Sequence, residues 1–165
     1  GFNGPYSNNL MTLTEKIKGL LVEHSISFKE VDHEPSPDCI TSAQNRNEEL
    51  KIGGKSLLLK TKDGFKIFVL SAAKEADSKK IRSILNSQKL RFATKEELLD
   101  LAGVEKGALP PFGPPILPFD LYLDQSILQN EKIAFNAGIL TKSFIISVKD
   151  YLRLVKPQIC DFSKD

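Results

Sequence analysis

Residues 56–71 have the sequence SLLLKTKDGFKIFVLS, in which two apolar runs of strand length flank Lys62-Asp63-Gly64. Asp-Gly favours the turn whose twist matches that of two antiparallel strands. The segment therefore predicts a β-hairpin over Ser56–Thr61 and Phe65–Ser71. We expect the main sheet of the protein to be built around this hairpin.

Weaker periodic patterns lie on both sides of the hairpin. Upstream, apolar residues at helical spacing predict a helix from Thr12 to about Glu23, followed by a strand over Ile26–Val31 and a short polar helix over Ser42–Leu50. Downstream, the predicted elements are a helix over Asp77–Asn86, a strand over Lys89–Phe92, a helix opened by the capping box Thr94–Glu97, strands over Phe119–Leu123, Ile133–Asn136 and Phe144–Ser147, and a helix over Val148–Val155. This irregular mixture predicts an α/β (α+β) fold, a mixed sheet with helices packed around it.

Length and composition suit one globular domain, since 41% of the 165 residues are hydrophobic. We expect residues 12–165 to form that domain and residues 1–11 to be a tag or flexible tail, because Met11 is the only methionine and the residues before it lack the order of a signal peptide. The two cysteines have no CxxC spacing, which suits a reducing, cytoplasmic location and offers no metal site. No apolar run approaches the ~18 residues of a membrane helix.

Two glycine-containing segments are candidates for chemistry. In Gly53-Gly54-Lys55-Ser56, Lys55 stands where a loop enters an apolar strand, so its ammonium is either a fixed donor at a pocket mouth or an ordinary solvated lysine. The string is not a phosphate-binding P-loop, because position 49 is Glu and a strand follows Lys55. Gly103–Pro115 combines glycines and prolines, which suits a rigid loop that presents backbone N–H groups, or a structural turn.

Other polar features support several interpretations. Asn136, in Phe135-Asn136-Ala137-Gly138, can orient a substrate carbonyl or act as a turn residue. The sequence has no order of Ser, His and Asp, no paired carboxylates and no His/Cys cluster that would indicate a triad, a glycosidase or a zinc enzyme. Because the net charge is only +2, any contact with RNA must come from a local cluster of basic residues. The sequence has one such basic patch, which is either an RNA-binding surface or a solvated helix face. Its members are Lys74, Lys79, Lys80, Arg82, Lys89 and Arg91, of which the first four are the predicted RNA contacts.

The order of these segments resembles the YbaK/ProX family of prolyl-tRNA-synthetase-associated editing domains. The resemblance runs from about Leu13 to Asp161 and rests on His33-Glu34-Pro35, on Gly53–Lys60, on the Gly-Val-Glu-x-Gly-x-x-Pro-Pro-Phe-Gly segment Gly103–Gly113, and on the later strings Phe135–Gly138 and Leu154–Pro157. It implies a partly barrel-like mixed sheet and a hydrolase that cleaves the ester of a mischarged tRNA without metal or cofactor.

The resemblance also implies roles for individual residues. Lys55 is expected to hold the substrate phosphate or carbonyl, with backbone amides near Gly107 and Gly113 facing the developing oxyanion and water or a substrate hydroxyl attacking. The residues expected to contact substrate are His33, Thr41, Ser56, Pro110, Pro111, Phe112, Asn136 and Gly138.

Two departures from the family pattern leave the substrate open. Thr41–Arg46 replaces the usual helix rich in Thr, Ser and Glu, and Leu109-Pro110-Pro111 makes the loop more apolar. We expect a small amino acid, Cys or Ala, on tRNA(Pro), with prolyl-tRNA synthetase as a possible partner. The alternatives are a non-catalytic module that binds tRNA or a nucleotide, and an interaction protein whose basic face meets an acidic partner.

Overall fold

The predicted hairpin lies at the centre of the largest sheet in this computed structural model, which describes residues 11–36 and 38–165. The expected tail lies outside the described residues, apart from Met11. The helices are α1 (Leu13–Glu23), α2 (Cys39–Arg46), α3 (Ser78–Leu85), α4 (Lys95–Ala102) and α5 (Val148–Val155). The strands are β1 (Lys29–Asp32), β2 (Gly54–Thr61), β3 (Gly64–Ser71), β4 (Glu75–Ala76), β5 (Leu90–Phe92), β6 (Leu121–Asp124), β7 (Lys132–Asn136), β8 (Lys142–Ser147), β9 (Gln158–Cys160) and β10 (Ser163–Lys164).

The strands form three sheets. The largest has the order β5-β2-β3-β6-β9, in which β2 pairs antiparallel with β3 and β5, whereas β3, β6 and β9 run parallel. The second has the order β1-β8-β7, and the third pairs β10 with β4. A parallel bridge between Gly53 and Ala134 connects the first two sheets. The mixed sheet with flanking helices is therefore confirmed, but no sheet in the described part of the chain closes into a barrel.

Most predicted elements form close to their expected bounds because local chemistry specifies their ends. Gly64 has φ +99° in the hairpin turn, and the Thr94–Glu97 capping box opens α4. The polar helix α2 begins earlier than predicted, because Asp38 accepts a hydrogen bond from the Thr41 N–H and caps it, and it ends at Asn47 with φ 56°. No helix among the described residues is long and apolar enough to span a membrane.

Two apolar clusters cover the two faces of the large sheet. The larger packs α1 and α5 against β7 and β8 and contains the fully buried Phe135, Phe144 and Tyr151. The Gly/Pro loop is part of it, because Phe112 packs edge to face against Phe135 and the Tyr151 hydroxyl donates to the Pro111 carbonyl over 2.7 Å. This packing holds the loop beside the end of β7, where the candidate site lies.

Candidate active site

A cavity of about 590 Å³ lies between the start of β2, the buried face of α2 and the Gly/Pro loop. It forms here because the outer edge of β2 pairs with β5 only over Leu59–Thr61, so that the edge preceding Leu58 faces open space. Four of the predicted site residues line this cavity. They are Lys55, Ser56, Gly107 and Asn136.

Lys55 lies on β2 opposite Leu70 of β3 and lines the cavity. Its Nζ donates to the backbone carbonyl of Lys74 over 2.5 Å. No carboxylate in the described ranges lies within ion-pair distance of this ammonium. The positive charge of Lys55 is therefore positioned by a neutral oxygen and remains available to an anionic ligand.

The Ser56 hydroxyl is buried without a partner. Among the side chains that the structure describes, its Oγ is the one buried polar atom that makes no hydrogen bond, and Ser56 lines the cavity. Leaving a hydroxyl unsatisfied is unfavourable by about 1–3 kcal/mol. A bound ligand that supplies a donor or acceptor would remove this penalty.

Arg46 is a cavity residue that sequence reasoning missed. Arg46 is only 6% exposed. Burial lowers the pKa of its guanidinium to about 10, so the group stays charged at neutral pH. Nε donates to Ser143 Oγ over 2.8 Å and Nη2 to Asn136 Oδ1 over 3.2 Å. Nη1 makes no hydrogen bond with any described residue and is not among the fully buried polar atoms. Because Arg46 lines the cavity, this edge of the guanidinium faces the cavity.

Asn136 connects the cavity wall to the Gly/Pro loop. Its Nδ2 donates to the Gly107 carbonyl over 2.9 Å and to the Ser36 carbonyl over 3.3 Å, while Oδ1 accepts from Arg46 and from the Ser143 hydroxyl. These four hydrogen bonds satisfy the donors and acceptor of the buried Asn136 amide, a residue that is 7% exposed. Asn136 is therefore a positioning residue that sets where Gly107 and Arg46 lie.

Gly107 has φ +91°, a conformation that glycine adopts without strain. Its carbonyl is held by Asn136, whereas its N–H donates to no acceptor in the described part of the chain. The cavity-lining Lys106 and Leu109 likewise have no backbone acceptor for their N–H groups in the described part of the chain, so the loop has several backbone donors free beside the cavity.

His33 lies behind the cavity wall and not in it. Nδ1 faces the Glu34 carbonyl at 2.8 Å, so Nδ1 carries a proton and donates, and Nε2 bonds to Ser143 Oγ at 2.7 Å. His33 thus reaches the site through Ser143, which also contacts Arg46 and Asn136, and through the cavity-lining Ser36, whose Oγ lies 3.5 Å from Nδ1.

The other residues predicted to contact substrate do not line the cavity. Pro110, Pro111 and Phe112 are buried in the larger core, and Gly113 is buried where an added Cβ would lie 2.7 Å from the Phe119 carbonyl oxygen. Thr41 binds Asp38 at the helix cap, and Gly138 packs against Leu13 of α1. These residues shape the elements that carry the site, because residues 108–113 of the Gly/Pro loop are buried and the loop meets the cavity through Lys106, Gly107 and Leu109.

The predicted basic patch is partly neutralised by the C-terminal segment. Lys80 Nζ pairs with Asp161 at 3.1 Å, and Lys74 Nζ pairs with Asp165. Arg82 Nε donates to the Gln88 carbonyl, and Lys79 is exposed. None of these four side chains lines the cavity, so their contact with RNA stays a prediction.

One pattern could have indicated Arg46 in advance. Ser42 and Arg46 are four residues apart, which places them on the same face of α2, and both are buried. A serine and an arginine on the buried face of a short helix indicate that this face borders a polar site. Cys39 also lines the cavity, and burial raises the pKa of its thiol, which disfavours a nucleophilic thiolate.

Comparison with known proteins identifies the family of this site. Residues 33–154 match the aminoacyl-tRNA editing domain. The chain belongs to this family. It is 31% identical over 156 residues to the multifunctional Ser/Thr-tRNA deacylase ProXp-y of Escherichia coli (strain K12), a match that covers 91% of this chain and 92% of the relative. It is also 28% identical over 120 residues to the proline–tRNA ligase of Thermosipho melanesiensis, covering 72% of this chain and 19% of the ligase.

Solved structures share the fold. One described as a candidate trans-editing enzyme for prolyl-tRNA synthetase superposes with a TM-score of 0.80 at 25% identity, covering 94% of this chain and 99% of the other. The predicted membership of the editing family is thus confirmed, as is the enzyme class. The protein is an aminoacyl-tRNA deacylase, a hydrolase of the aminoacyl ester.

Proposed function

We propose that this editing-family deacylase acts in trans on tRNA(Pro) carrying a small, wrong amino acid, and that the cavity beside β2 holds the ester. The observation that carries the proposal is that Lys55, Arg46 and Ser56, whose buried hydroxyl has no partner, all line one cavity. Such a substrate accords with a cytoplasmic protein that works beside prolyl-tRNA synthetase.

The charges suit the transition state better than the ground state. Neither Lys55 nor Arg46 has a carboxylate partner in the described ranges, and Asp38, which also lines the cavity, is engaged in capping α2. An aminoacyl ester is neutral at its carbonyl, whereas the tetrahedral intermediate of hydrolysis carries an oxyanion. Fixed cations therefore stabilise the intermediate more than the substrate, which lowers the barrier.

We assign the groups as follows. Lys55 holds the terminal phosphate or the carbonyl, and the free edge of Arg46 and the Gly107 N–H face the developing oxyanion. Cavity-lining side chains in the described chain include no histidine to act as general base. Water attacks the ester carbonyl with a substrate hydroxyl assisting, the bond between the carbonyl carbon and the ribose oxygen breaks, and the proton that water gives up passes to that oxygen. Gly113 supports the loop from within the core and does not donate to the oxyanion.

The amino acid removed is small because the cavity must hold the ester as well as the side chain. Cysteine and alanine meet this limit. The Ser56 hydroxyl and the nearby buried Ser42 also suit a hydroxyl-bearing side chain, and the E. coli relative is named a Ser/Thr-tRNA deacylase. We therefore extend the proposed substrates to serine and threonine.

The test follows loss of the ester from tRNA(Pro) charged with alanine, cysteine, serine, threonine or proline. The wild type should release one of the first four and spare proline, and Lys55→Ala should be inactive. Lys60→Ala is the matched control, because Lys60 lies on the same strand but over the Phe65 ring, outside the cavity, and its activity should not change.

If every charged tRNA keeps its amino acid while the folded protein binds the RNA, the proposed reaction on these substrates is wrong. The protein would then be a binding module. If a tRNA of another identity is deacylated, the assignment of tRNA(Pro) is wrong. The assignment of the cavity as the active site is then supported if Lys55→Ala is inactive on that tRNA and contradicted if the variant stays active.

A further inference from the structure

An exposed aromatic ring stands at the mouth of the cavity. Phe92 is 63% exposed, and it is the only aromatic residue among the exposed large hydrophobic side chains of the described chain. It lines the cavity together with Lys95 and Lys106, which lie on two other elements of the rim. An apolar ring flanked by two cations is the combination that proteins use to bind a nucleobase and its phosphate.

The backbone of Phe92 is held firmly although its ring is exposed. Phe92 pairs with Leu59 at the edge of the large sheet, and the next residue donates from its backbone N–H to the Leu58 carbonyl over 2.8 Å. The preceding residue, Arg91, makes two hydrogen bonds of 2.8 and 3.0 Å to the carboxylate of Glu97 on α4. These bonds fix the strand relative to α4, so the ring is presented at a set position beside Lys95.

The geometry of the substrate explains such a ring. The ester joins the amino acid to the ribose of the terminal nucleotide, so a cavity that holds the ester leaves the base of that nucleotide at the rim. An exposed phenylalanine gains by stacking, because a base has an apolar face of similar width to cover it. Lys95 and Lys106 are placed to meet the phosphates that precede that nucleotide.

We propose that Phe92 is the stacking platform for the 3′-terminal base of the tRNA, with Lys95 and Lys106 as its phosphate contacts. The inference rests on the proposed function, since it takes the cavity as the place of the ester. A contact with the face of the ring is tolerant of base identity, so Phe92 recognises a tRNA end and not a particular tRNA.

The first experiment measures hydrolysis of charged tRNA under single-turnover conditions. Phe92→Ala should raise the protein concentration needed for half-maximal rate by about tenfold, a typical stacking effect, and leave the plateau rate within about twofold. Phe92→Trp should restore binding. Leu99→Ala is the matched control, because Leu99 is 62% exposed on α4 but does not line the cavity, and it should not change either constant.

The second experiment needs no catalysis and so separates this inference from the proposed function. Affinity is measured for uncharged tRNA with and without its terminal nucleotide. The wild type should bind the shortened tRNA about tenfold more weakly, and Phe92→Ala should bind both forms equally. If removal of the terminal nucleotide weakens binding equally in the wild type and in Phe92→Ala, the proposed stacking role of Phe92 is wrong. A dimer in sedimentation that depends on Phe92 would also contradict it, because the ring would then contact a second copy of the protein.

Discussion

Arg46 donates from Nη2 to Asn136 Oδ1 over 3.2 Å, although the two residues are 90 positions apart in the chain. The bond joins the buried face of α2 to the end of β7, and Asn136 carries the connection on to the Gly107 carbonyl. One amide side chain thus positions both a cation and a backbone donor. The second sheet therefore contributes to the cavity through Asn136, alongside the hairpin strand that bears Lys55.

Replacing Arg46 should separate activity from stability. Arg46→Met should lower the deacylation rate by about 100-fold, the usual effect of losing one oxyanion donor. The melting temperature should change little, because methionine removes the burial penalty that lowers the pKa of Arg46 to about 10, and this offsets the loss of the hydrogen bonds to Ser143 and Asn136. Rates and thermal unfolding are measured on the same sample.

Two variants control that experiment. Arg46→Lys keeps the charge but not the planar fork, so it should recover only part of the rate. Arg153→Met changes an arginine whose side chain is 68% exposed and should leave the rate unchanged. A large drop in melting temperature for Arg46→Met would show that the residue is structural.

Removing the Ser56 hydroxyl should stabilise the unliganded protein. Ser56→Ala deletes a buried group that makes no hydrogen bond, so the free energy of unfolding should rise by about 1 kcal/mol in a urea titration. The same variant should lose kcat/KM on seryl- or threonyl-tRNA more than on alanyl-tRNA. An equal loss on all three would contradict the pairing of this hydroxyl with a hydroxylated side chain.

Two glycines of the Gly/Pro loop should respond differently to alanine. At Gly113 the new Cβ would lie 2.7 Å from the backbone oxygen of Phe119, so Gly113→Ala should cost about 1–3 kcal/mol of stability while the folded fraction stays active. Gly107→Ala places a side chain at φ +91° beside the cavity, and it should cost about 1–2 kcal/mol and also lower the rate. Activity per folded molecule, from rates and denaturation curves, distinguishes them.

The pair formed by Arg91 and Glu97 should support the fold in a pH-dependent way. The hydrogen bond from Arg91 lowers the pKa of Glu97 to about 2 from its ordinary 4.5. Because the carboxylate is favoured in the folded state, its stabilising effect is complete above pH 4.5 and is lost as the pH falls towards 2. The melting temperature of Glu97→Gln should lie below that of the wild type at pH 7, and the gap should close near pH 2.

Glu96→Gln is the matched control for this pH dependence. Glu96 lies in the same turn of α4 and makes no ion pair within the described ranges, so its substitution should leave the melting temperature unchanged across the titration. A gap for Glu97→Gln that persists unchanged at pH 2 would show that the glutamate acts through packing and not through its charge.

Local chemistry made the hairpin and the helix ends predictable. Asp63-Gly64 specifies the turn, and Thr94 with Glu97 specifies the start of α4, because in each case the deciding contacts lie within four residues. The order of chemistry-bearing segments also indicated the family, since the glycine and proline positions of the two loops are readable one by one. The parallel pairing of β3, β6 and β9 was not predicted, because it joins segments that no local pattern connects.

The site divides in the same way. Lys55 and Gly107 were predicted from the family resemblance of the two glycine-containing segments in which they lie, and both line the cavity. Arg46 was not, since an arginine in a polar helix is ordinarily solvated and only the packing of α2 against β7 and β8 buries it beside Ser143 and Asn136. Phe112 shows the reverse error, because its place in the loop suggested a substrate contact and its apolar ring is drawn into the core. Short-range hydrogen bonds and backbone angles are encoded residue by residue, whereas burial and charge pairing depend on partners that only the folded chain brings together.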